Sequence, residues 1–301
     1  MSSALFAGVL PVLPSIFDAD NHVDVEATRR VARFALSSGA HGVVFPGVAS
    51  EFNFLDLDER EVLTEALGRE LAGHPFVVGA SAERVDDVVR LLDSGAKAGA
   101  TGAMIMAPAS VGTEIGALVD FFGAIAARTG VEIILQNAPP PVGSGLSVET
   151  AAEIARQVPS VTYVKEEALP PGPRISGLLA AKPASLRGVI GGAGARHLYD
   201  ELDRGAIGAM PAVEIVDVHV ALYDAFVSGD RARAREIYIR TLPLLLVQLT
   251  FRMRLTKHVL ALRGIIENTS VRAPLPVFDD KGLAELVMML DEIKDLTGQG
   301  A

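Results

Sequence analysis

Apolar and polar positions follow two different periods along the first three quarters of the chain. Short apolar or β-branched runs, typical of buried parallel strands, alternate with longer segments that repeat apolar residues at i, i+3 and i+4. The predicted strands are residues 8–13, 42–45, 76–79, 103–106, 132–135, 161–165, 186–190 and 207–210. The predicted helices are residues 24–36, 58–71, 84–98, 114–128, 147–157, 175–181, 196–204 and 213–227. This order predicts eight βα units and a parallel sheet.

Eight βα units favour an α/β fold of the closed (β/α)8 kind, the TIM barrel, over a doubly wound sheet. A doubly wound sheet normally has fewer strands and a glycine-rich phosphate-binding turn, and no Gly-x-Gly-x-x-Gly follows the first strand here. In a (β/α)8 barrel the chemistry lies at the C-terminal ends of the strands. The residues just after each strand are therefore the candidates for function.

The pattern becomes purely helical after Gly229 and Asp230. Helices are predicted over residues 231–246, 249–263 and 281–296, and no long linker precedes them. We therefore divide the chain into a barrel that carries the active site, residues 1–228, and a C-terminal helical segment, residues 229–301. The apolar positions of this segment predict that it packs on the barrel or on another subunit.

Capping residues mark several predicted helix ends. Asp58 and Ser147 lie where two predicted helices start. We predict that they cap these helices, because the side chains of aspartate and serine accept hydrogen bonds from the first free N–H groups of a helix. Gly39, Gly99 and Gly130 follow predicted helices, where glycine commonly ends the last turn.

Charge and cysteine content narrow the class of protein. A formal net charge of -10 argues against nucleic acid or an anionic membrane as the main partner, since both need a basic surface. The absence of cysteine excludes disulfides and thiolate catalysis and favours an intracellular setting. The apolar N-terminus lacks a basic leader and is interrupted by prolines, and no later apolar run reaches the roughly 18 residues of a membrane span. We expect a cytoplasmic protein.

The six histidines are scattered, without a pair at the spacing of metal ligands. A metal-dependent aldolase needs such a ligand cluster. The sequence therefore predicts no metal site and no cofactor.

The apolar, β-branched segment from Val161 to Lys165 predicts a strand that ends in a lysine, and two glutamates follow it directly in the sequence. A lysine at the end of a buried strand must pair with a carboxylate or lose its proton, and a neutral amine attacks ketones. Strand alternation places Glu167 on the same face as Lys165 and Glu166 on the opposite face. The other five lysines have ordinary surface explanations in helix ends or amphipathic segments: Lys97, Lys182, Lys257, Lys281 and Lys294.

The order of motifs after the strands resembles the dihydrodipicolinate synthase and N-acetylneuraminate lyase family of class I aldolases and dehydratases. The matching features lie along the whole chain and include Gly47, Glu51 and Leu55 after strand two, Asn137 and Pro139 after strand five, Lys165, the glycines 191 and 192 after strand seven, and the C-terminal helices. No single motif is specific, but their order and spacing together are.

The resemblance implies that Lys165 forms a Schiff base with the keto group of a 2-oxo acid. It implies substrate binding by Val48, Ala49, Asn137, Gly192 and Met210, with Ser50 as the nearby hydroxyl. Gly47 would support the loop, whose backbone N–H groups suit a carboxylate. We interpret Glu51 as a carboxylate that braces this loop, and Asn137 could also act as a loop brace.

Several positions depart from the family. Gln136 stands where the family has a tyrosine that relays protons, and glutamine does not titrate, so at this catalytic position it can only orient the substrate. Pro141 replaces the arginine by which dihydrodipicolinate synthases bind a second carboxylate. The segment after strand four offers only Ser110 in place of a partner subunit's tyrosine. Water, the substrate carboxylate, Ser110 and Glu167 remain as candidates for proton transfer.

The sequence therefore leaves three functions open. The first is a Schiff-base lyase, a dehydratase or retro-aldolase, acting on a 2-keto-3-deoxy sugar acid or a related 2-oxo acid. The second is a synthase that condenses pyruvate with an aldehyde, and the third is a barrel that binds a keto acid without catalysis. The resemblance also implies a homo-oligomer, a tetramer or a dimer.

Overall fold

The computed structural model describes residues 5–297, and its frame is a ring of eight parallel strands. The strands are β1 (Gly8–Val9), β2 (Val43–Phe45), β3 (Phe76–Gly79), β4 (Gly102–Ile105), β5 (Ile133–Asn137), β6 (Val161–Glu166), β7 (Gly188–Gly191) and β8 (Gly208–Ala209). They pair in the order β1-β8-β7-β6-β5-β4-β3-β2. The segment after β1 pairs with both neighbours, since Val12 bridges Val44 and Ala212 and the Leu13 N–H donates to the Val44 carbonyl. The alternating pattern thus gives the α/β architecture that it predicted.

Eight helices follow the strands and cover the outside of the ring. They are α1 (Val25–Ser37), α2 (Leu57–Glu70), α3 (Val85–Lys97), α4 (Ile115–Thr129), α5 (Val148–Gln157), α6 (Pro171–Ala181), α7 (Leu198–Asp203) and α8 (Val216–Val227). Helix α5 begins at Ser147, whose hydroxyl accepts from the Thr150 N–H as predicted. The predicted cap at Asp58 was wrong: Asp56 caps α2, in a reciprocal capping box with Glu59. Asp58 already lies in the first turn, where its charge complements the helix dipole.

Apolar side chains fill the interior of the ring. One residue near the middle of most strands points inward, so that these residues form layers across the barrel. The inward-facing cluster contains Phe6, Leu10, Val12, Val44, Val77, Met104, Ile134, Tyr163, Ile190 and Met210. Two larger clusters lie between the strands and the helices. The centre of the ring is therefore closed by packing.

Three helices follow the barrel: α9 (Arg231–Phe251), α10 (Met253–Leu262) and α11 (Asp280–Glu292). Their apolar faces pack together with α7 and α8 in one buried cluster, in which Leu198, Leu222, Leu244, Leu255 and Leu286 are nearly inaccessible. The sequence predicted one helix that ends at residue 246 and a second that begins at residue 249. In the structure α9 instead continues to Phe251, and the break lies at Arg252. Arg252 has a positive φ of 48°, which terminates the helical path. Within residues 5–297 no helix combines the length and hydropathy that a membrane crossing requires.

Candidate active site

The register between β5 and β6 brings two polar side chains together inside the barrel. Ile134 pairs with Tyr163, and both belong to the inward-facing cluster. Side chains alternate between the two faces of a strand, so Gln136 and Lys165, two residues further along, also point inward. Gln136 and Lys165 are themselves register partners. The pair lies at the C-terminal end of the strands, directly above the packed interior.

Lys165 is almost inaccessible, at 4% relative exposure, and its partner is Glu167. The Lys165 Nζ lies 3.3 Å from the Glu167 Oε1. The Gln136 Nε2 donates to the same carboxylate oxygen at 2.7 Å. Glu167 therefore lies on the side of Lys165 that strand alternation predicted, and it connects Lys165 to Gln136.

A second contact fixes the Glu167 carboxylate from the turn after β7. The Ala193 N–H donates to Glu167 Oε2 at 3.2 Å. A Cβ at Gly192 would lie 2.4 Å from the Glu167 Cγ, so only glycine leaves space for this side chain. Burial raises the pKa of Glu167, but the Lys165 ammonium and the donors Gln136 and Ala193 outweigh it and leave the pKa below its ordinary value. Glu167 is thus an ionised carboxylate in contact with the Lys165 side chain.

Lys165 and Glu167 border a small inner cavity of about 100 Å³. Three residues predicted to bind substrate, Val48, Ala49 and Met210, line it. A wider groove of about 970 Å³ adjoins the cavity at Glu167 and leads to solvent past the proline-rich segment after β5. Four polar residues that sequence reasoning missed also line the inner cavity: Arg196, Gln248, Arg252 and Thr256. Three of them come from α9, α10 and their junction, which no motif connected with the barrel strands.

Asn137 and Glu166 point to the opposite face of the sheet. The Asn137 side chain donates to the Leu146 carbonyl at 3.0 Å and to Glu166 Oε2 at 2.9 Å, and its Oδ1 accepts from the Leu146 N–H. Glu166 also pairs with Arg174 Nε at 3.1 Å. Burial raises the pKa of Glu166, although Arg174 and Asn137 oppose the shift. These contacts favour support of the segment after β5 over the substrate contact expected of Asn137.

The loop after β2 contains the predicted carboxylate-binding residues. Val48 and Ala49 begin a short 3-10 turn, Val48–Ser50, and the first N–H groups of such a turn have no partner within it. Ser50 is fully buried, accepts from the Gly47 N–H at 2.9 Å and donates to the Leu13 carbonyl. Because this hydroxyl is engaged by Gly47 and by Leu13 of the segment after β1, its position favours loop support over the predicted substrate contact.

Glu51 anchors the same loop to the C-terminal segment. Its Oε1 accepts from Lys257 Nζ at 2.8 Å, and both side chains are fully buried. Its Oε2 accepts from the N–H groups of Arg272 and Ala273, each at 2.8 Å. The surface position predicted for Lys257 was wrong, because the amphipathic pattern of α10 does not reveal a buried carboxylate from another part of the chain.

Ser110 lies apart from these residues. It is exposed, its hydroxyl donates to Glu83 at 2.7 Å, and it does not line the inner cavity. The structure thus leaves Glu167 as the titratable side chain in contact with Lys165. Across residues 5–297 there is no cluster of three or more histidine, aspartate or glutamate side chains that could hold a metal ion.

The fold and this site define an α/β-barrel enzyme with a buried lysine. The profile of the dihydrodipicolinate synthetase family matches residues 5–293. A solved dihydrodipicolinate synthase from Rhodopseudomonas palustris superposes with a TM-score of 0.88 at 26% identity, over 95% of this chain and 97% of that one.

Two curated relatives have other activities. The probable 2-dehydro-3-deoxy-D-pentonate aldolase YjhH of Escherichia coli (strain K12) is 26% identical over 79% of this chain and 80% of its own length. The L-2-keto-3-deoxyarabonate dehydratase of Azospirillum brasilense is 25% identical over 96% of this chain and 95% of its own length. The chain belongs to the dihydrodipicolinate synthetase family, and it is a lyase of the class I aldolase type.

Proposed function

We propose that this lyase forms a Schiff base between Lys165 and a 2-oxo acid, and that its substrate is a 2-keto-3-deoxy sugar acid. The observation that carries the proposal is the 3.3 Å contact between Lys165 Nζ and Glu167 Oε1 inside the inner cavity. An amine must lose a proton before it attacks a ketone, and a carboxylate in contact with it is a suitable base.

Glu167 can serve each proton transfer of Schiff-base formation. It takes a proton from the Lys165 ammonium, and the free amine attacks C2 of the 2-oxo acid to give a carbinolamine. The same carboxyl group returns the proton to the C2 hydroxyl, which leaves as water, and a cationic iminium remains. Gln136 cannot exchange protons, but its 2.7 Å hydrogen bond holds the carboxylate in place.

The iminium then accepts electrons from the bond that breaks. In dehydration, a base removes the C3 proton, and the C4 hydroxyl takes up a proton and leaves as water. In retro-aldol cleavage, a base removes the proton of the C4 hydroxyl, the C3–C4 bond breaks, and an aldehyde departs. The remaining enamine of pyruvate then takes up a proton at C3 to give the product Schiff base. Hydrolysis of the product Schiff base regenerates Lys165. Glu167 is the side-chain base that adjoins the reacting nitrogen in both sequences.

Three features support a sugar acid over the usual condensation of dihydrodipicolinate synthases. Pro141 lines the groove at the position of the arginine by which dihydrodipicolinate synthases bind the second carboxylate of their condensation, and a proline cannot form an ion pair at that position. Gln136 occupies the position of the proton-relaying tyrosine. The curated relatives include an aldolase and a dehydratase named for 2-keto-3-deoxy sugar acids. A protein that only binds a keto acid has no need of a buried Lys165–Glu167 pair, whose desolvation costs free energy.

Product analysis tests this function. The protein is incubated with 2-keto-3-deoxy pentonic and hexonic acids, and the products are separated by mass spectrometry. Loss of one water indicates a dehydratase, whereas pyruvate with an aldehyde indicates a retro-aldolase. Lys165→Ala should abolish either reaction, while Lys97→Ala, an exposed lysine in the last turn of α3, should leave it intact. Equal turnover by Lys165→Ala, or no turnover of any 2-oxo acid by the wild-type protein, would overturn the proposal.

A further inference from the structure

The charges around the inner cavity are unbalanced. Its charged lining residues, within the described chain, are three cations, Lys165, Arg196 and Arg252, and one carboxylate, Glu167. Glu167 compensates one positive charge through its contact with Lys165. An iminium on Lys165 would retain the positive charge of the ammonium. The substrate's own C1 carboxylate compensates a second charge, so among the lining residues one cation remains without a carboxylate in the cavity, although the buried Glu214 lies behind Gln248 and Thr256.

Arg196 is held in place by neutral groups. Its Nη1 donates to Gln248 Oε1 at 3.0 Å, and its carbonyl accepts from the Tyr238 hydroxyl at 2.7 Å. Over residues 5–297 it forms no ion pair with a carboxylate. Burial, followed by the nearby charge of Arg252, lowers the pKa of Arg196, against the opposing charges of Glu167, Glu214 and Glu201, none of which forms an ion pair with it. A partly buried guanidinium that is oriented by an amide, and repelled by a second guanidinium, is suited to an anionic ligand.

Arg252 reaches the same wall through an unfavourable backbone conformation. It joins α9 to α10 with φ of 48° and ψ of -126°, and its N–H donates to the Gln248 carbonyl at 2.7 Å. Residues with a side chain rarely adopt a positive φ, and such outliers often occur at functional sites. Among the described residues Arg252 has no carboxylate partner. Gln248 thus links the two arginines, to one by its side chain and to the other by its carbonyl.

Arg196 and Arg252 lie further outward than Lys165. Both arginines line the inner cavity and also the wider groove that adjoins it, whereas Lys165 lines only the inner cavity. A 2-oxo acid joined to Lys165 through C2 would therefore extend its far end past the two guanidinium groups. We propose that Arg196 and Arg252 bind a second anionic group, a carboxylate or a phosphate, at the far end of the substrate. This inference rests on the proposed function, since it takes Lys165 as the point of attachment.

The test compares 2-oxo acids of equal chain length that differ only at the far end. The probes are 2-oxovalerate with an uncharged end, 2-oxoglutarate with a carboxylate, and a 2-oxo acid with a terminal phosphate, with pyruvate as reference. Each is titrated in the presence of borohydride, and the half-saturating concentration for the adduct is measured. We expect at least about tenfold tighter saturation by an acid with a charged end, from one charge-assisted interaction. The carboxylate and phosphate probes show which of the two anions is preferred.

Variants assign the effect to these arginines. In Arg196→Gln and Arg252→Gln, the ratio between the uncharged and the charged probe should fall at least about fivefold, whereas Arg196→Lys should retain part of it. Arg235→Gln is the matched control, because Arg235 is exposed on α9, stacks over Tyr199 and lies outside the cavity. An unchanged ratio in both glutamine variants would overturn the proposal.

The outcomes separate this inference from the proposed function. Adducts that form equally well with charged and uncharged probes in the wild-type protein would refute the anion site and leave the Schiff base standing. An equal loss of pyruvate and diacid trapping in the glutamine variants would assign the arginines to the C1 carboxylate, and would also overturn the proposal. Failure to trap any 2-oxo acid would instead refute the proposed function.

Discussion

Lys257 and Glu51 form a fully buried ion pair, 2.8 Å between Nζ and Oε1, that connects α10 to the loop after β2. Burial lowers the pKa of Lys257 to about 8, against the opposing effect of Glu51. The Ser270 carbonyl accepts a second hydrogen bond from Lys257 at 2.7 Å, and the ammonium lies 4.2 Å from the centre of the Phe17 ring. The pair thus holds Val48 and Ala49 at the cavity by an attachment to the C-terminal helices.

Breaking this pair should destabilise the protein strongly. We expect Lys257→Met to lower the free energy of unfolding by about 3 kcal/mol, because it leaves the Glu51 carboxylate buried without its cation. Glu51→Gln should cost a similar amount, and the double variant should cost clearly less than the sum of the two. Denaturant unfolding of the four proteins measures the coupling, with the exposed Lys281→Met as control. Strictly additive losses would show that the two side chains do not depend on each other.

Glu167→Gln should lower the rate of Schiff-base formation by about 10²-fold or more, because the variant can no longer exchange protons with Lys165. The wild-type rate should also fall at acidic pH as Glu167 becomes protonated. This decline should lie at lower pH than for an ordinary glutamate, since the pKa of Glu167 is lowered by Lys165 and Gln136 in spite of its burial.

The pH dependence of single-turnover trapping with pyruvate measures both effects. The acidic limb should disappear in Glu167→Gln, while Glu285→Gln, an exposed residue of α11, should behave like the wild-type protein. A variant with the wild-type rate and pH profile would remove Glu167 from the chemistry.

Gly192→Ala tests whether space for Glu167 is required. The added Cβ would lie 2.4 Å from the Glu167 Cγ, so the carboxylate must move from its contact with Lys165. We expect kcat to fall at least about tenfold, since a displacement of about 1 Å in a catalytic group is costly. Gly116→Ala on the exposed face of α4 is the control, because a Cβ there meets no atom within 4 Å. Equal activity in the two alanine variants would contradict the positioning argument.

Glu201 should make stability decrease with pH. Burial, with like charges nearby, raises the pKa of this carboxyl group in α7 from 4.5 to about 8. Between pH 4.5 and 8 the folded protein therefore keeps a proton on Glu201 that the unfolded chain has already released. The stability that this proton contributes is fully present below pH 4.5 and is lost as the pH rises through about 8.

Glu201→Gln should remove this dependence, because glutamine remains neutral. At pH 8 we expect its Tm to exceed that of the wild-type protein by at least about 4 °C, with little difference at pH 4.5. Melting curves across this range give the answer, with Glu285→Gln as the surface control. Parallel curves for Glu201→Gln and the wild-type protein would contradict the assignment.

The order of strands and helices was predictable from the sequence because each carries its own local period. The position of Lys165 at the end of a strand was predictable for the same reason, because it ends an apolar run, and the position of Glu167 followed from strand alternation. The role of Lys165 as nucleophile was implied by the family resemblance and stays a proposal. Exact strand ends were not predictable, since β1 and β8 are short and are completed by isolated bridges such as Val12 to Val44.

Contacts between distant segments were missed. Lys257 meets Glu51 from 206 positions away, and Arg196 meets Gln248 across 52. Their local patterns are those of an amphipathic helix and a turn, and a local pattern contains no information about a distant partner. The arginines at the cavity and the buried lysine therefore became visible only in three dimensions.

The most direct test of the account is the identity of the lysine that reacts. The protein is treated with pyruvate and borohydride, digested, and mapped by mass spectrometry. We predict a reduced pyruvyl adduct on the peptide that contains Lys165, and none in Lys165→Ala. The informative rival is Lys257, whose pKa is lowered to about 8 but which is fully buried against Glu51 and does not line the inner cavity. An adduct on Lys257, or no adduct at all, would contradict the central claim.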